Sequence, residues 1–137
     1  MKYIVAFLVY CFCSSSAFAQ ETYICIADLT TGFAYNKTTK NWFSTNFDVK
    51  DQKYVLSQKN KLWYWKKVGG PESATIECGE FNKAGFLNCN PFGEILSVNK
   101  TNLRFSLTNN VGYVSGEFLG VEGSITPFMT IGKCSPL

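Results

Sequence analysis

Histidine is absent from the 137-residue chain. That excludes chemistry built on an imidazole: a Ser-His-Asp triad, a Cys-His nucleophile pair, a His-ligated zinc and a c-type haem site. Alanine is scarce as well, with only Ala27, Ala34, Ala74 and Ala84 beyond the first 19 residues. No stretch keeps apolar residues at i, i+3, i+4 and i+7 between two caps, so helix is excluded as the dominant element. The charge balance is slight, 13 basic against 10 acidic side chains, and there is no polybasic tail. Nothing here drives nucleic-acid binding by electrostatics. Apolar runs stay short of the roughly 20 residues that a membrane-spanning helix needs, so no membrane anchor is expected in the mature chain.

What is present begins with a leader. Lys2, an apolar run over 4–13 and a polar stretch ending in Ala17-Phe18-Ala19 read as a secretory signal peptide over residues 1–19, cleaved between Ala19 and Gln20. Removing it leaves 118 residues, with 12 basic and 10 acidic groups and four cysteines, because Cys11 and Cys13 depart. A lipoprotein anchor needs a small residue before its cysteine, whereas Tyr10 precedes Cys11 and Phe12 precedes Cys13. Residues 20–137 make one domain, able to bury roughly 65% of its unfolded surface. The expected location is secreted or periplasmic.

Short runs of aromatic and β-branched residues follow, over 22–27, 32–36, 42–49, 53–57, 62–68, 74–81, 85–89, 94–98, 103–108, 112–118 and 128–134. Gly, Asn, Asp and Pro separate them at intervals of roughly 8–12 residues, the pattern of all-β architecture. The expected fold is a single small antiparallel meander, a closed or nearly closed barrel, with a β-sandwich as the alternative. Asp51-Gln52, Lys59-Asn60 and Asn109-Asn110 stand where hairpin turns are expected. Two strings echo each other, YNKTTKNWFS from Tyr35 and VNKTNLRFS from Val98. Shared turn chemistry explains so short an echo better than an internal duplication. Asn36 and Asn99 also head formal glycosylation sequons, which matter only in a eukaryotic secretory pathway.

Four cysteines in a small exported chain read as two disulfides. Cys78 and Cys89 flank a hairpin-like stretch, and Cys25 with Cys134 would staple the first strand to the last. Zinc or redox chemistry competes poorly, since there is no Cys-x-x-Cys and the nearest two of these thiols are eleven positions apart. No metal and no cofactor are expected.

The densest feature is KNKLWYWKKVGG from Lys59. Strand alternation puts Lys61, Trp63, Trp65 and Lys67 on one face and Leu62, Tyr64, Lys66 and Val68 on the other. Indoles flanked by ammonium groups suit a binding platform for sugars or an anionic partner. The competing reading buries Trp63 and Trp65 in the core, with the lysines reaching water. The candidate binding face is Trp63, Trp65, Lys61, Lys66 and Lys67. No catalytic residue emerges: the carboxylates, Glu94 among them, show no spacing that singles out a pair. The one Ser-x-x-Lys, at Ser97 and Lys100, runs from a strand into a turn rather than along a helix.

Three segments, Thr22-Tyr23-Ile24-Cys25, Tyr64-Trp65-Lys66-Lys67-Val68-Gly69 and Cys134, are similar in order to elements of the small periplasmic inhibitors of C-type lysozymes. The resemblance implies an eight-stranded barrel with a Tyr-x-Cys start, a Trp-x-Lys-Gly-like strand and a C-terminal Cys. Where that family has a Ser-Gly-x-x-Tyr inhibitory loop, this chain has Lys50-Asp51 followed by Tyr54, so no inhibitory residue is carried over. The expected function is an exported, non-enzymatic binding or interaction domain whose partner is a protein or an anionic glycan. The alternatives are an inhibitor of a secreted hydrolase such as lysozyme and a structural envelope component without a ligand site.

Overall fold

The computed structural model describes residues 20–90, 93–116 and 121–137. The signal-peptide reading of residues 1–19 therefore lies outside the described residues. The elements are β1 (Thr22–Asn36), β2 (Asn41–Phe47), β3 (Lys53–Lys59), β4 (Leu62–Lys67), β5 (Ile76–Gly79), β6 (Phe86–Cys89), β7 (Glu94–Asn99), β8 (Arg104–Asn109), the single-turn helix α1 (Val111–Val114) and β9 (Phe128–Pro136). They form one antiparallel sheet in the order β5-β4-β3-β1-β9-β8-β7-β6, with β2 paired to β1 off this path. Except for β1, which pairs with β9 on one side and with β3 on the other, neighbours on the path follow one another along the chain. The fold is thus a meander curled into a nearly closed barrel, not a sandwich.

Closure occurs in two different ways. β1 and β9 join through nine paired positions, from Tyr23 opposite Pro136 to Gly32 opposite Phe128, with Cys25 directly facing Cys134. The Cys25–Cys134 disulfide spans that pair, whose Cα atoms are 3.9 Å apart. The remaining seam falls mid-chain between β5 and β6, which are not neighbours in the hydrogen-bonded order. Cys78–Cys89 crosses it, with Cα atoms 4.7 Å apart. Both expected disulfides are present, but the second stitches an unpaired seam and does not clamp a hairpin.

Interior positions alternate along β3, β4 and β6 to β9, as the pleat requires. Cys25, Ala27, Leu56, Trp63, Trp65, Leu87, Leu96, Val98, Phe105 and Leu107 are all buried. Gly132 sits opposite Phe105, and a side chain there would collide with the Ile26 carbonyl and the Phe105 ring. Its missing Cβ is the space that ring occupies.

Three expectations on elements are corrected. Runs 22–27 and 32–36 belong to one strand, because a bulge between Ala27 and Leu29 shifts the register and interrupts the alternation. Asp51-Gln52 is not a hairpin turn. β3 pairs with the first part of β1, Thr22 to Ile26, and β2 with its later part, Thr30 to Asn36. β2 and β3 thus lie end to end along one edge of β1, and residues 48–52 form a turn between them whose Gln52 carbonyl accepts from the Ala27 N–H at 3.0 Å. Run 112–118 is not a strand: Val111–Val114 is helical, and residues 117 and 118 lie outside the described ones. Asn109 Oδ1 accepts from the Val111 N–H at 3.0 Å and starts the turn. Gly112 then lies so close to the Ile125 carbonyl that no side chain fits. The connection from β8 to β9 also packs on the β1–β2 hairpin, where Trp42 Nε1 donates to Glu122 at 3.0 Å and the Trp42 ring meets Tyr113 edge-on.

Candidate functional site

The two tryptophans of β4 face inward, each only 2% exposed, so they form no exposed stacking platform. Burial of two large aromatics is the cheapest way for a domain this small to fill a barrel. Lys61 does not share their strand. It forms with Asn60 a two-residue turn in which both residues have positive φ, 71° and 53° respectively, the geometry that joins twisted strands. Lys66 lies on the outer face, paired with Glu72. Of the candidate face, only Trp65 and Lys67 come together.

The barrel has unlike ends. At one, Trp63 fills the interior against Tyr23, with ring centroids 5.8 Å apart, and against Phe81 at 5.1 Å. Lys100 caps this plug, its Nζ 5.8 Å from the Trp63 ring and 3.0 Å from Glu21 Oε2. At the other end the interior is open, as a cavity of about 570 Å³. Tyr54 stacks on Trp65 with centroids 4.6 Å apart and planes 18° from parallel, and Phe105 meets both rings edge-on. Phe47, Ile76, Leu107 and Phe128 complete the apolar wall. These residues come from separate strands, each at an inward position near the same rim.

The polar groups of the cavity are few and differ in state. Thr30 Oγ1 donates to Gln52 Oε1 at 2.9 Å and lies 2.8 Å from the hydroxyl of Thr130. Gln52 Nε2 donates onward to the Asp48 carbonyl at 3.1 Å. This network satisfies itself, as buried hydroxyls must. Glu94, at the start of β7, is half-buried on the opposite wall. Burial pushes its carboxyl above the ordinary range, and a hydrogen bond from the Asn109 side chain offsets part of that rise. Burial first, and then the nearby Glu94 charge, push up the Tyr54 phenol. Lys67, exposed at the lip, is the only other charged lining residue among the described ones.

In the sequence Glu94 is one of several unspaced carboxylates, and no pattern assigns Thr30, Gln52, Tyr54 or Thr130 to a site. The inward alternation of Tyr54 and Leu56 was the available signal; the assembly of the cavity from many strands was not legible. Tyr54, standing where the lysozyme-inhibitor loop would place its tyrosine, is buried against Trp65 and does not project. No protein-family model, curated protein or solved structure matches the chain. Two disulfides, with no helix among the described residues long and apolar enough to cross a membrane, fit a secreted or periplasmic protein.

Proposed function

We propose that this is an exported, non-enzymatic binding protein that takes up one small, largely apolar molecule in the open end of its barrel. The observation that carries the reading is the aromatic-walled cavity. Its volume of about 570 Å³ falls inside the roughly 300–1,000 Å³ usual for ligand pockets, and its apolar wall with few polar groups matches their usual lining. Eight strands are also about the number whose interior holds one small ligand. Export rests on the leader ending at Ala19 and on the two disulfides. A binding role is favoured over catalysis because the chain has no imidazole and, among the described residues, the cavity lining holds one carboxylate, Glu94, rather than a pair.

The test is a titration of the mature protein with small aromatic molecules, followed by the three indole N–H resonances in NMR. The Trp65 resonance is expected to shift while those of Trp63 and Trp42 stay in place. Shifts confined to the outer faces, or none at millimolar concentrations, would overturn the proposal.

A further inference from the structure

Resting on that reading, we infer that the molecule taken up is an organic cation, an ammonium group carried on an aromatic or apolar body. The cavity juxtaposes a half-buried carboxylate with stacked aromatic rings. Glu94 belongs to neither of the two ion pairs found among the described residues, Lys66 with Glu72 and Lys100 with Glu21. Among the described residues, the side chain that hydrogen-bonds to it is that of Asn109. A carboxylate accepts several hydrogen bonds, so Glu94 retains unused capacity directed at ligand space. Taken partly out of water without a counter-ion, it carries a desolvation cost that a bound cation would offset.

The rest of the lining points the same way. The Tyr54 and Trp65 faces attract cations through the negative potential of their π-systems. The hydroxyls of Thr30 and Thr130 are engaged with each other and with Gln52, leaving few neutral polar groups to recognise a sugar or an alcohol. An anion would meet Glu94 without compensation, which rejects it. Lys67 stands in solvent at the lip, where water and salt screen its repulsion of an incoming cation. The ligand body then fills the apolar space between Phe47, Ile76, Leu107 and Phe128.

Three probes of nearly equal shape test this at neutral pH: phenethylamine, 2-phenylethanol and phenylacetate, each titrated against the Trp65 indole resonance. The amine is expected to bind roughly tenfold tighter than the alcohol, with phenylacetate weakest. Glu94→Gln, which keeps the side-chain shape and the Asn109 contact, should bring amine and alcohol to within about twofold of each other. Equal binding of amine and alcohol to the unsubstituted protein would overturn the cation inference while leaving the cavity reading standing, as would a preference that survives Glu94→Gln. Failure of all three probes to move Trp65 would remove the cavity reading itself.

Discussion

Trp63 and Trp65 are two positions apart on one face of β4, yet one plugs the barrel and the other walls a cavity. What separates them is the neighbour set: Tyr23, Phe81 and Lys100 close over Trp63, whereas the stack of Tyr54 on Trp65 ends at open space. Both are nonetheless shielded from bulk water, and Trp42 is the partly exposed indole of the three. Iodide is therefore expected to quench only the Trp42 fraction of the emission. Trp42→Phe should leave a blue-shifted emission that iodide barely affects; strong residual quenching would place Trp63 or Trp65 at the surface. Trp63→Ala, which empties a filled interior, should cost about 3–5 kcal/mol in urea denaturation. Glu94 has a different signature. Burial raises its pKa in the folded state above the unfolded value of about 4.3, so the native protein holds that proton more tightly. The contribution of this group to stability is greatest below the unfolded pKa, falls as pH rises through the raised folded pKa, and stays low above it. Glu94→Gln removes that loss. Its melting temperature should exceed that of the unsubstituted protein at pH 7, by a margin that shrinks toward pH 4. A margin that stays constant across this range would show that burial does not govern the group.

At the scale of elements, the two Asn-Lys-Thr strings build the same loop. Asn36 Oδ1 accepts from the N–H groups of Thr38 and Thr39 at 2.9 and 3.1 Å, and Asn99 Oδ1 from Thr101 and Asn102 at 2.8 and 3.3 Å. Each loop ends four residues on in a left-handed residue, Lys40 at φ 55° and Leu103 at φ 54°. Asn36→Ala and Asn99→Ala should each cost about 1 kcal/mol in urea denaturation, and Asn→Asp at either position should restore most of it, because the acceptor oxygen is what matters. Sharply unequal costs would mean that the likeness ends at the hydrogen bonds. These turns were legible because their chemistry is local, and so was the Cys78–Cys89 bridge, from its spacing. In the sequence 22–27 and 32–36 read as two strands, and Cys25, Ala27 and Leu29 keep a period of two; in the fold the inward position after Ala27 is Thr30 and Leu29 is exposed, a shift that only the pairing with β9 explains. The segment Val-Gly-Tyr-Val has strand propensity and became a turn of helix because Gly112 must fit beneath the Ile125 carbonyl. A long-range contact decided that outcome, and no local propensity encodes it.

At the scale of the molecule, the two disulfides should separate in effect, because they close the barrel at junctions of different strength. Cys25–Cys134 ties strands that already share nine paired positions, and it closes a sequence separation of 109. Cys78–Cys89 closes a separation of only 11, but it is the covalent link across a seam that lacks strand pairing. On the chain-entropy account the long loop is worth about 4.7 kcal/mol and the short one about 3 kcal/mol. Function should rank them in the opposite order. Ile76 and Ala74 line the cavity on the β5 side of the seam, and β5 is otherwise held by only three register positions on β4. Cys78→Ala with Cys89→Ala should therefore release β5, speed amide exchange in β5 and β6, and weaken the binding of small aromatic probes. Cys25→Ala with Cys134→Ala should lose more stability yet bind those probes almost as the unsubstituted protein does, because the β1–β9 ladder persists without its bridge. Urea denaturation and titration of the Trp65 resonance, run on both double variants, check the two rankings. Equal loss of binding in both would show that the cavity depends on the stability of the whole barrel and not on closure of this seam.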